Sequence, residues 1–280
     1  MKCLLYYHLN GIHTYCLGID IRSGASIDIE ENVMISQRLE AHVASSFAEQ
    51  RVIDVRIGLG YTAVQIEDGN VGVAYTFRDD SATGCSVFMG KRPLAGSSAG
   101  DLLDYFSSDV RLESTVGLAV INALSNRKDP EQEEGDLLES LALRANDRVG
   151  MVGFFGPLVG PIEQRVRELV IFERDPRRSP RVRPAEAAHQ ELPDCDVALI
   201  SSTALIGGGM DALLTASGDC REVVLVGAST PLVPEIFGHC GVTMLSGITV
   251  EDGPGILQIV SEGGGMGFFG RRVRKVNIRL

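Results

Sequence analysis

Two segments in the second half of the sequence nearly repeat each other, and they constrain the fold more than any other feature. Residues 149–162 read VGMVGFFGPLVGPI and residues 223–236 read VVLVGASTPLVPEI, so each has an apolar run, Val-Gly, three residues and Pro-Leu-Val. This pattern predicts a buried strand, a tight glycine turn and a helix that a proline opens. A third candidate turn, ISSTA at residues 200–204, lies between them. Since ligands of parallel sheets bind outside the carboxyl ends of the strands, we expect three strand ends to meet at one crevice.

Short apolar strands alternate with helix-length segments throughout residues 136–280. After a short predicted helix at 137–143, strands are predicted at 148–152, 169–172, 197–200, 223–226, 242–245 and 273–278. All-apolar strands of this length, separated by helices, are typical of a parallel sheet covered on both faces. We therefore predict a Rossmann-like α/β domain with a mainly parallel sheet.

Residues 28–126 follow a different pattern. Apolar residues at helical spacing predict a helix over 28–48, and helices are also predicted over 99–106 and 112–124. Alternating residues predict a three-stranded antiparallel meander, with strands at 52–57, 61–66 and 71–77. Together they predict a small α+β domain. The charged stretch SNRKDPEQEEG at 125–135 marks the domain boundary, and residues 1–27 are an extension without predicted structure.

The charge of the chain limits its partners. The formal net charge is -11, which argues against nucleic acid, because phosphate binding requires a basic surface. Small anionic molecules or metals are the expected partners. The start of the chain does not resemble a signal peptide and no stretch is long enough to span a bilayer, so we predict a cytoplasmic protein. The six cysteines include no CxxC pair and are predicted to be free thiols.

The turn after the first strand carries the first candidate ligand residues. Gly153, Gly156 and Gly160 form GxxGxxxG, which departs from the dinucleotide fingerprint, although Gly156 and Pro157 still predict a helix start suited to an anion. These glycines could instead serve only the turn and the packing. Glu173 follows 20 residues after Gly153. At this spacing in nucleotide-binding domains an acid accepts hydrogen bonds from a ribose. Alternatively, Glu173 is a solvated acid at the end of its strand.

Arginines and hydroxyls follow the later strands. Residues 174–184 (RDPRRSPRVRP), which we call the arginine loop, hold five arginines in eleven residues. They either gather an anionic substrate or form a solvated surface loop. Ser201, Ser202 and Thr203 follow the third strand of this domain, and Ser229 and Thr230 follow the fourth. Their hydroxyls could bind a carboxylate or phosphate, or cap the next helix.

Metal ligands and nucleophiles are poorly supported by the sequence. There is no GxSxG motif, and no arrangement of Ser or Cys with His and an acid matches a known catalytic pattern, so no catalytic residue is assigned. Cys85, His239 and Cys240 are candidate ligands for a metal ion. Their spacing matches no structural zinc pattern.

Longer segments resemble a known family. The runs LPDCDVALISSTALIGGGMDALL (192–214), VVLVGASTPLVPEIFGHCGVTMLSGITVED (223–252) and SEGGGMGFF (261–269) resemble the heavy-metal chelation domain family. RIGLGYTAVQ (56–65), GVAYTF (72–77), GCSVF (84–88) and GLAVINAL (117–124) resemble the enolase-N-terminal-like domain that usually precedes it. The similarity covers residues 28–280.

This resemblance implies an enolase-like domain, a Rossmann-like domain and a ligand site in the cleft between them. The family is linked by genomic context to metal uptake and to anaerobic corrinoid (cobalamin) biosynthesis. The cleft residues that the resemblance implies are Gly153, Gly156, Pro157, Glu173, Ser202, Thr203, Gly227, Ser229, Thr230 and Pro231, with Asn122, Tyr61 and Thr62 from the first domain. Where the family pattern has Asn-Gly-Thr, this chain has three glycines at 207–209, which removes an amide and a hydroxyl.

Three hypotheses follow. The leading one is a cytoplasmic protein that binds a small anionic ligand or metal complex in the cleft, in heavy-metal chelation or metallocofactor metabolism, with a transition metal ion as the implied cofactor. The second is a nucleotide- or S-adenosylmethionine-dependent transferase, motivated by Glu173. The third is a non-catalytic scaffold that acts as a homodimer.

Overall fold

The computed structural model describes residues 3–5, 17–19, 33–47, 49–77, 86–129 and 133–280. The chain divides into two compact units, residues 1–33 and residues 34–280. In the first unit, β1 (Cys3–Leu5) and β2 (Leu17–Ile19) pair as antiparallel strands. The candidate ligand Cys85 and residues 28–32 of the first predicted helix lie outside the described residues.

The second unit begins with α1 (Ile35–Phe47). Ile35, Leu39 and Val43 are buried at a spacing of four residues, so one face of the helix enters the core. The sequence predicts this helix from residue 28. The structure starts it at Ile35, whose backbone N–H donates to Asp211 Oδ1 over 2.9 Å. A carboxylate 176 residues away thus caps the first turn, which periodicity cannot reveal.

An antiparallel meander follows, as predicted. Its strands are β3 (Val52–Ile57), β4 (Tyr61–Ile66) and β5 (Val71–Tyr75), in that spatial order, and its helices are α2 (Ala99–Leu103) and α3 (Arg111–Ser125). β5 ends two residues before the prediction, because Tyr75 pairs with Tyr61 at the first residue of β4. α3 lies close on the meander at Gly72, where an added Cβ would lie 2.0 Å from the Ala123 nitrogen.

The larger sheet has eight strands and confirms the mainly parallel sheet of the prediction. Its strands are β6 (Glu133–Glu134), β7 (Arg148–Val152), β8 (Glu168–Glu173), β9 (Arg183–Pro184), β10 (Val197–Ser201), β11 (Glu222–Val226), β12 (Met244–Val250) and β13 (Val273–Arg279). Their order is β6-β13-β12-β11-β10-β7-β8-β9. The strands from β12 to β9 are parallel, whereas β13 and β6 are antiparallel to their neighbours.

Helices connect these strands, and the strand order creates a crevice. The helices are α4 (Leu137–Ser140), α5 (Gly156–Glu163), α6 (Ala188–Glu191), α7 (Met210–Ala216), α8 (Pro234–Phe237), α9 (Gly253–Ser261) and α10 (Met266–Phe269). From β7 the chain passes to β8 on one side and then to β10 on the other side. Connections that leave in opposite directions open a crevice beyond the carboxyl ends of these strands, where parallel sheets bind ligands.

The two repeated segments differ in structure. In the first, α5 opens at Gly156 with Pro157 in its first turn, as predicted. In the second, Pro231 does not open a helix, and α8 begins at Pro234. The reason is tertiary: the Leu232 N–H donates to Asn126 Oδ1 over 2.8 Å, which holds the chain extended after the turn.

The meander and the larger sheet share buried contacts within the second unit. Ala63 and Val73 of the meander pack in one apolar cluster with Ile248 and Val250 of β12 and with Ile256 of α9. Burial of apolar surface is the main force that stabilises such contacts. The meander is therefore fixed against the sheet by a common core.

Candidate functional site

The three predicted turns all reach one cleft. Gly153 and Gly227, which follow β7 and β11, have φ angles of 94° and 121°, a region that favours glycine. Thr203 lies in the 3-10 helix Ser202–Leu205 after β10. An added Cβ at Gly153 would lie 2.9 Å from Ser201 Cβ, so only glycine lets the first and third turns approach.

The cleft has a volume of about 1290 Å³ and lies between the meander and the carboxyl ends of the parallel strands. One wall comes from β4 and β5 of the meander, and the other from the three turns and the first turn of α5. Apolar side chains make up a large part of its lining: Val152, Phe154, Phe155, Leu158, Leu137, Leu138, Ile206 and Leu213. A cavity of this size and lining suits an organic molecule larger than a bare ion.

A row of aromatic rings forms the meander side of the cleft. The ring centroids of Phe77 and Tyr75 are 5.0 Å apart, those of Tyr75 and Tyr61 are 5.8 Å apart, and Tyr61 contacts Phe269 at 5.3 Å, all edge to face. Burial, with Tyr75 nearby, raises the pKa of Tyr61 to about 12. Tyr61 therefore offers a neutral aromatic surface at physiological pH.

Arginines from both sides meet on Phe77. The Arg111 guanidinium, at the start of α3, lies 5.3 Å from the ring centroid, and that of Arg174, after β8, lies 4.7 Å from it. Gly207 has a φ of 85°, and an added Cβ there would lie 3.4 Å from Arg111 Nε. Gly207, in the glycine triplet that departs from the family pattern, therefore lies beside Arg111, and its positive φ favours glycine there.

The charged lining contains more cations than acids. The cations are Arg111, Arg174, Arg177, Arg178 and Lys275, and the acids are Asp136, Glu173, Asp175 and Glu186. Asp175 is paired with Arg177 at 2.7 and 2.9 Å, and these hydrogen bonds keep the pKa of its carboxyl below the ordinary value. The charged side chains of the lining thus carry a net charge of +1, although the chain as a whole is acidic.

Glu173 lies in the cleft with its carboxylate engaged. Oε2 accepts from the Phe154 N–H at 3.0 Å, and Oε1 accepts from the N–H groups of Arg174 and Asp175 at 2.7 and 3.1 Å. The carboxylate thereby joins the glycine turn after β7 to the beginning of the arginine loop.

The structure divides the predicted ligand residues into two groups. Those that line the cleft are Gly153, Gly156, Pro157, Glu173, Thr203, Gly227, Ser229 and Tyr61. Those that are buried outside its lining are Ser202, Thr230, Pro231, Asn122 and Thr62. The buried hydroxyls bond to protein atoms: Ser202 to Thr230 at 2.7 Å, and Thr62 to Thr76 at 3.0 Å.

Ser229 connects the two sides of the cleft. It is 2% exposed, and its Oγ accepts the Tyr75 N–H over 2.9 Å. The hydroxyl after β11 thus accepts a hydrogen bond from a backbone N–H at the end of β5. Asn122 is likewise structural, because its Nδ2 donates to the Val73 carbonyl at 2.8 Å.

The remaining metal candidates do not form a metal site. His239 and Cys240 lie after α8 and do not line the cleft, and Arg38 Nη1 donates to Cys240 Sγ over 3.1 Å. Across the described residues, no three His, Cys, Asp or Glu side chains are grouped so that they could hold a metal ion. The described residues therefore do not fit a metal ion that requires three or more protein ligands, such as zinc.

Sequence reasoning missed Tyr75, Phe77 and Arg111. The two aromatics alternate at the end of the last meander segment, and a period of two places them on the same side, so this signal was present. No local signal identifies Arg111, because its place in the cleft depends on how α3 packs.

Family models cover most of the second unit. Residues 136–279 match the model of DUF364 and residues 41–125 match that of DUF4213, both described as "Putative heavy-metal chelation". An uncharacterized protein of Methanocaldococcus jannaschii is 25% identical over 235 residues, which cover 78% of this chain and 88% of that protein.

Two crystal structures of DUF364 proteins of unknown function share the fold. The structure from Pyrococcus horikoshii superposes with a TM-score of 0.78 at 22% identity. The superposition covers 88% of this chain and 100% of the Pyrococcus chain. The one from Desulfitobacterium hafniense has a TM-score of 0.72 at 24% identity and covers 88% and 98%. No helix among the described residues is long and apolar enough to cross a membrane.

Proposed function

The chain belongs to the DUF364 family, and from this premise we propose that it handles a heavy metal as a small anionic complex, bound in the cleft. The observation that carries the proposal is a cleft of about 1290 Å³ whose described lining is rich in arginine and aromatic side chains and has no three-donor metal cluster. Such a site suits an organic chelate that brings its own metal ligands. A bare ion would need donors from the protein.

The lining matches the two parts of such a complex. The aromatic row and the apolar lining suit an organic framework, because burial of apolar and ring surface favours binding. The arginines of the lining suit carboxylates or phosphates on the same molecule. The first turn of α5, at Gly156 and Pro157, adds the positive end of a helix dipole. We also propose that residues 28–126 form an enolase-like domain and residues 136–280 a Rossmann-like domain. In this proposal the protein is cytoplasmic and acts in corrinoid metabolism.

A calorimetric titration tests it. Nickel, cobalt, zinc, iron and copper ions are added to the protein alone, and then as preformed citrate complexes. We expect at least one citrate complex to bind and the bare ion to bind more weakly. Tighter binding of every bare ion than of its citrate complex would overturn the proposal.

A matched pair of variants locates the binding. Arg178 lines the cleft, whereas Arg181 lies on the same loop outside the lining and pairs with Glu163. Arg178→Glu should weaken binding of the anionic complex about tenfold, because a charge reversal near a bound anion costs on the order of 1 kcal/mol in a partly solvated site. Arg181→Glu makes the same change in net charge and should alter the affinity far less. Equal losses of affinity in the two variants would show that the net charge of the protein alone governs binding.

A nucleotide-type cofactor is the second candidate. One observation favours it: Glu173 lines the same cleft as the Gly153 turn. A ligand that binds only the native state must raise its melting temperature. An unchanged melting temperature with S-adenosylmethionine, NAD and ATP at saturating concentration would remove this candidate.

A further inference from the structure

Two cysteines lie at the edge of the parallel sheet opposite to the cleft. Cys195 and Cys220 come just before β10 and β11, whereas the cleft lies beyond the carboxyl ends of these strands. The strands pair with Val197 opposite Glu222, and each cysteine lies two residues before this pair. The Arg221 N–H also donates to the Asp196 carbonyl over 2.9 Å. The backbone therefore brings the two cysteines side by side.

Their sulfurs contact the same turn. Cys195 Sγ donates to the carbonyl of Glu191 at 3.3 Å, and Cys220 Sγ donates to the carbonyl of Leu192 at 3.6 Å. These carbonyls are consecutive in the chain at the end of α6. Both cysteines are free thiols, Cys195 being buried and Cys220 half-buried.

The surroundings disfavour a lone thiolate. Cys195 belongs to an apolar cluster that includes Leu192 and Phe172, and Cys220 packs against this cluster. Burial raises the pKa of Cys195 to about 11 and the pKa of Cys220 to about 12. A divalent cation bound by two thiolates carries no net charge, so an apolar environment penalises it much less than it penalises a single thiolate.

We propose that Cys195 and Cys220 form a two-coordinate site for a soft divalent cation of the mercuric type. Each thiol releases its proton to water and forms a sulfur–metal bond, so one cation replaces two protons and nothing is oxidised or reduced. The half-buried Cys220 provides entry, and Cys195 completes the linear pair. Zinc and cadmium, which require three or four ligands, should not be held, since the described residues contain no larger donor group.

Mercuric chloride is the probe in the first test. The pair-only variant retains Cys195 and Cys220, with serine at the four other cysteines: Cys3, Cys16, Cys85 and Cys240. In a phosphine reductant free of thiols, we expect one equivalent to bind, with release of two protons and a sulfur-to-mercury charge-transfer absorption in the ultraviolet. An excess of zinc should not displace it. Two equivalents, one for each thiol, or displacement by zinc would overturn the proposal.

Single substitutions in the pair-only variant provide the second test. Cys195→Ala and Cys220→Ala should each weaken mercury binding by about a hundredfold or more, because the second thiol otherwise acts at a high effective concentration. Unchanged affinity in both would overturn the proposal. Near-ultraviolet circular dichroism checks that each variant folds. If Cys195→Ala does not fold, Cys220→Ala, at a half-buried position, still measures the loss of mercury affinity. Neither cysteine lines the cleft, so the result is independent of the proposed function.

Discussion

Gly153 shows how one residue can fix the geometry of the cleft. Its φ of 94° and its contact with Ser201 leave no room for a side chain. Gly153→Ala should lower the free energy of unfolding by about 2–3 kcal/mol, from left-handed strain and a clash with a neighbouring turn. Urea denaturation measures this loss.

Gly160 is the matched control for that substitution. It lies within α5, and an added Cβ would meet nothing within 4 Å. Gly160→Ala should change the free energy of unfolding by less than about 1 kcal/mol, because the helix propensity of alanine opposes the penalty for a Cβ placed before Pro161 in a helix. If both alanine variants had the same stability, the argument from Gly153 geometry would be wrong.

Asn126 is the polar residue that holds α3 against the larger sheet. Its Nδ2 donates to the carbonyls of Thr230 and Ile248 at 2.9 and 3.2 Å, and its Oδ1 accepts from Leu232. Asn126→Ala should cost about 2–4 kcal/mol of unfolding free energy, because buried partners lose their hydrogen bonds. Asn122→Ala removes one such bond and should cost about 1 kcal/mol. Thermal denaturation of both variants checks the order.

These asparagines also show where prediction from sequence stops. The family resemblance implies a ligand role for Asn122, whereas Asn126 carried no signal, although the two lie one helical turn apart. Ser202 and Thr230 are a second example. Both residues follow strand ends, as ligand residues do, but their hydroxyls hydrogen-bond to each other. A sequence shows which residues follow a strand but not which of their side chains face inward.

An ion pair between a buried carboxylate and a half-buried guanidinium joins the beginnings of β7 and β11. Asp147, just before β7, accepts two hydrogen bonds from the Arg221 guanidinium, at 3.1 and 2.9 Å, and one from the Arg144 N–H at 2.7 Å. Burial opposes ionisation, but these hydrogen bonds outweigh it, and the pKa of the Asp147 carboxyl falls below its ordinary value.

This pair predicts a pH dependence. Because the native pKa is lowered, the stabilisation is complete above the ordinary aspartate pKa and is lost as the pH falls through the native value. Asp147→Asn should lower the unfolding free energy by about 1–3 kcal/mol at pH 7, and the difference from the native chain should narrow below about pH 4. Asp54→Asn breaks the exposed pair with Arg56 and should show little difference at either pH. A difference that widens in acid would contradict the assignment.

Elements were predictable from sequence where local patterns decide them. β3, β4 and β7 have the predicted bounds, because alternation or a short apolar run is a local property. The start of α1 and the opening of α8 were not predictable, because Asp211 and Asn126 set them from distant parts of the chain. The two repeated segments therefore share a sequence pattern but not a helix start.

For the molecule as a whole, the shared core of the meander and the larger sheet predicts cooperative unfolding. The cluster of Ala63, Val73 and Ile248 crosses between them, and Ser229 and Asn126 add polar links. Differential scanning calorimetry should show one main transition with equal calorimetric and van't Hoff enthalpies. Separate melting of the meander would show that these contacts contribute little.

The order of strands in the larger sheet has a further consequence, for solubility in a crowded solution. Its two outermost strands, β6 and β9, have only two residues each. An outer strand with unpaired N–H and carbonyl groups can recruit strands of other molecules and begin aggregation. Among the described residues, however, β6 pairs with only Val276 and Asn277 of β13, and β9 pairs with only Phe172 and Glu173 of β8. β13 also carries Arg274, Lys275 and Arg279, and charged side chains on a strand with an uncovered edge discourage other molecules from pairing with it.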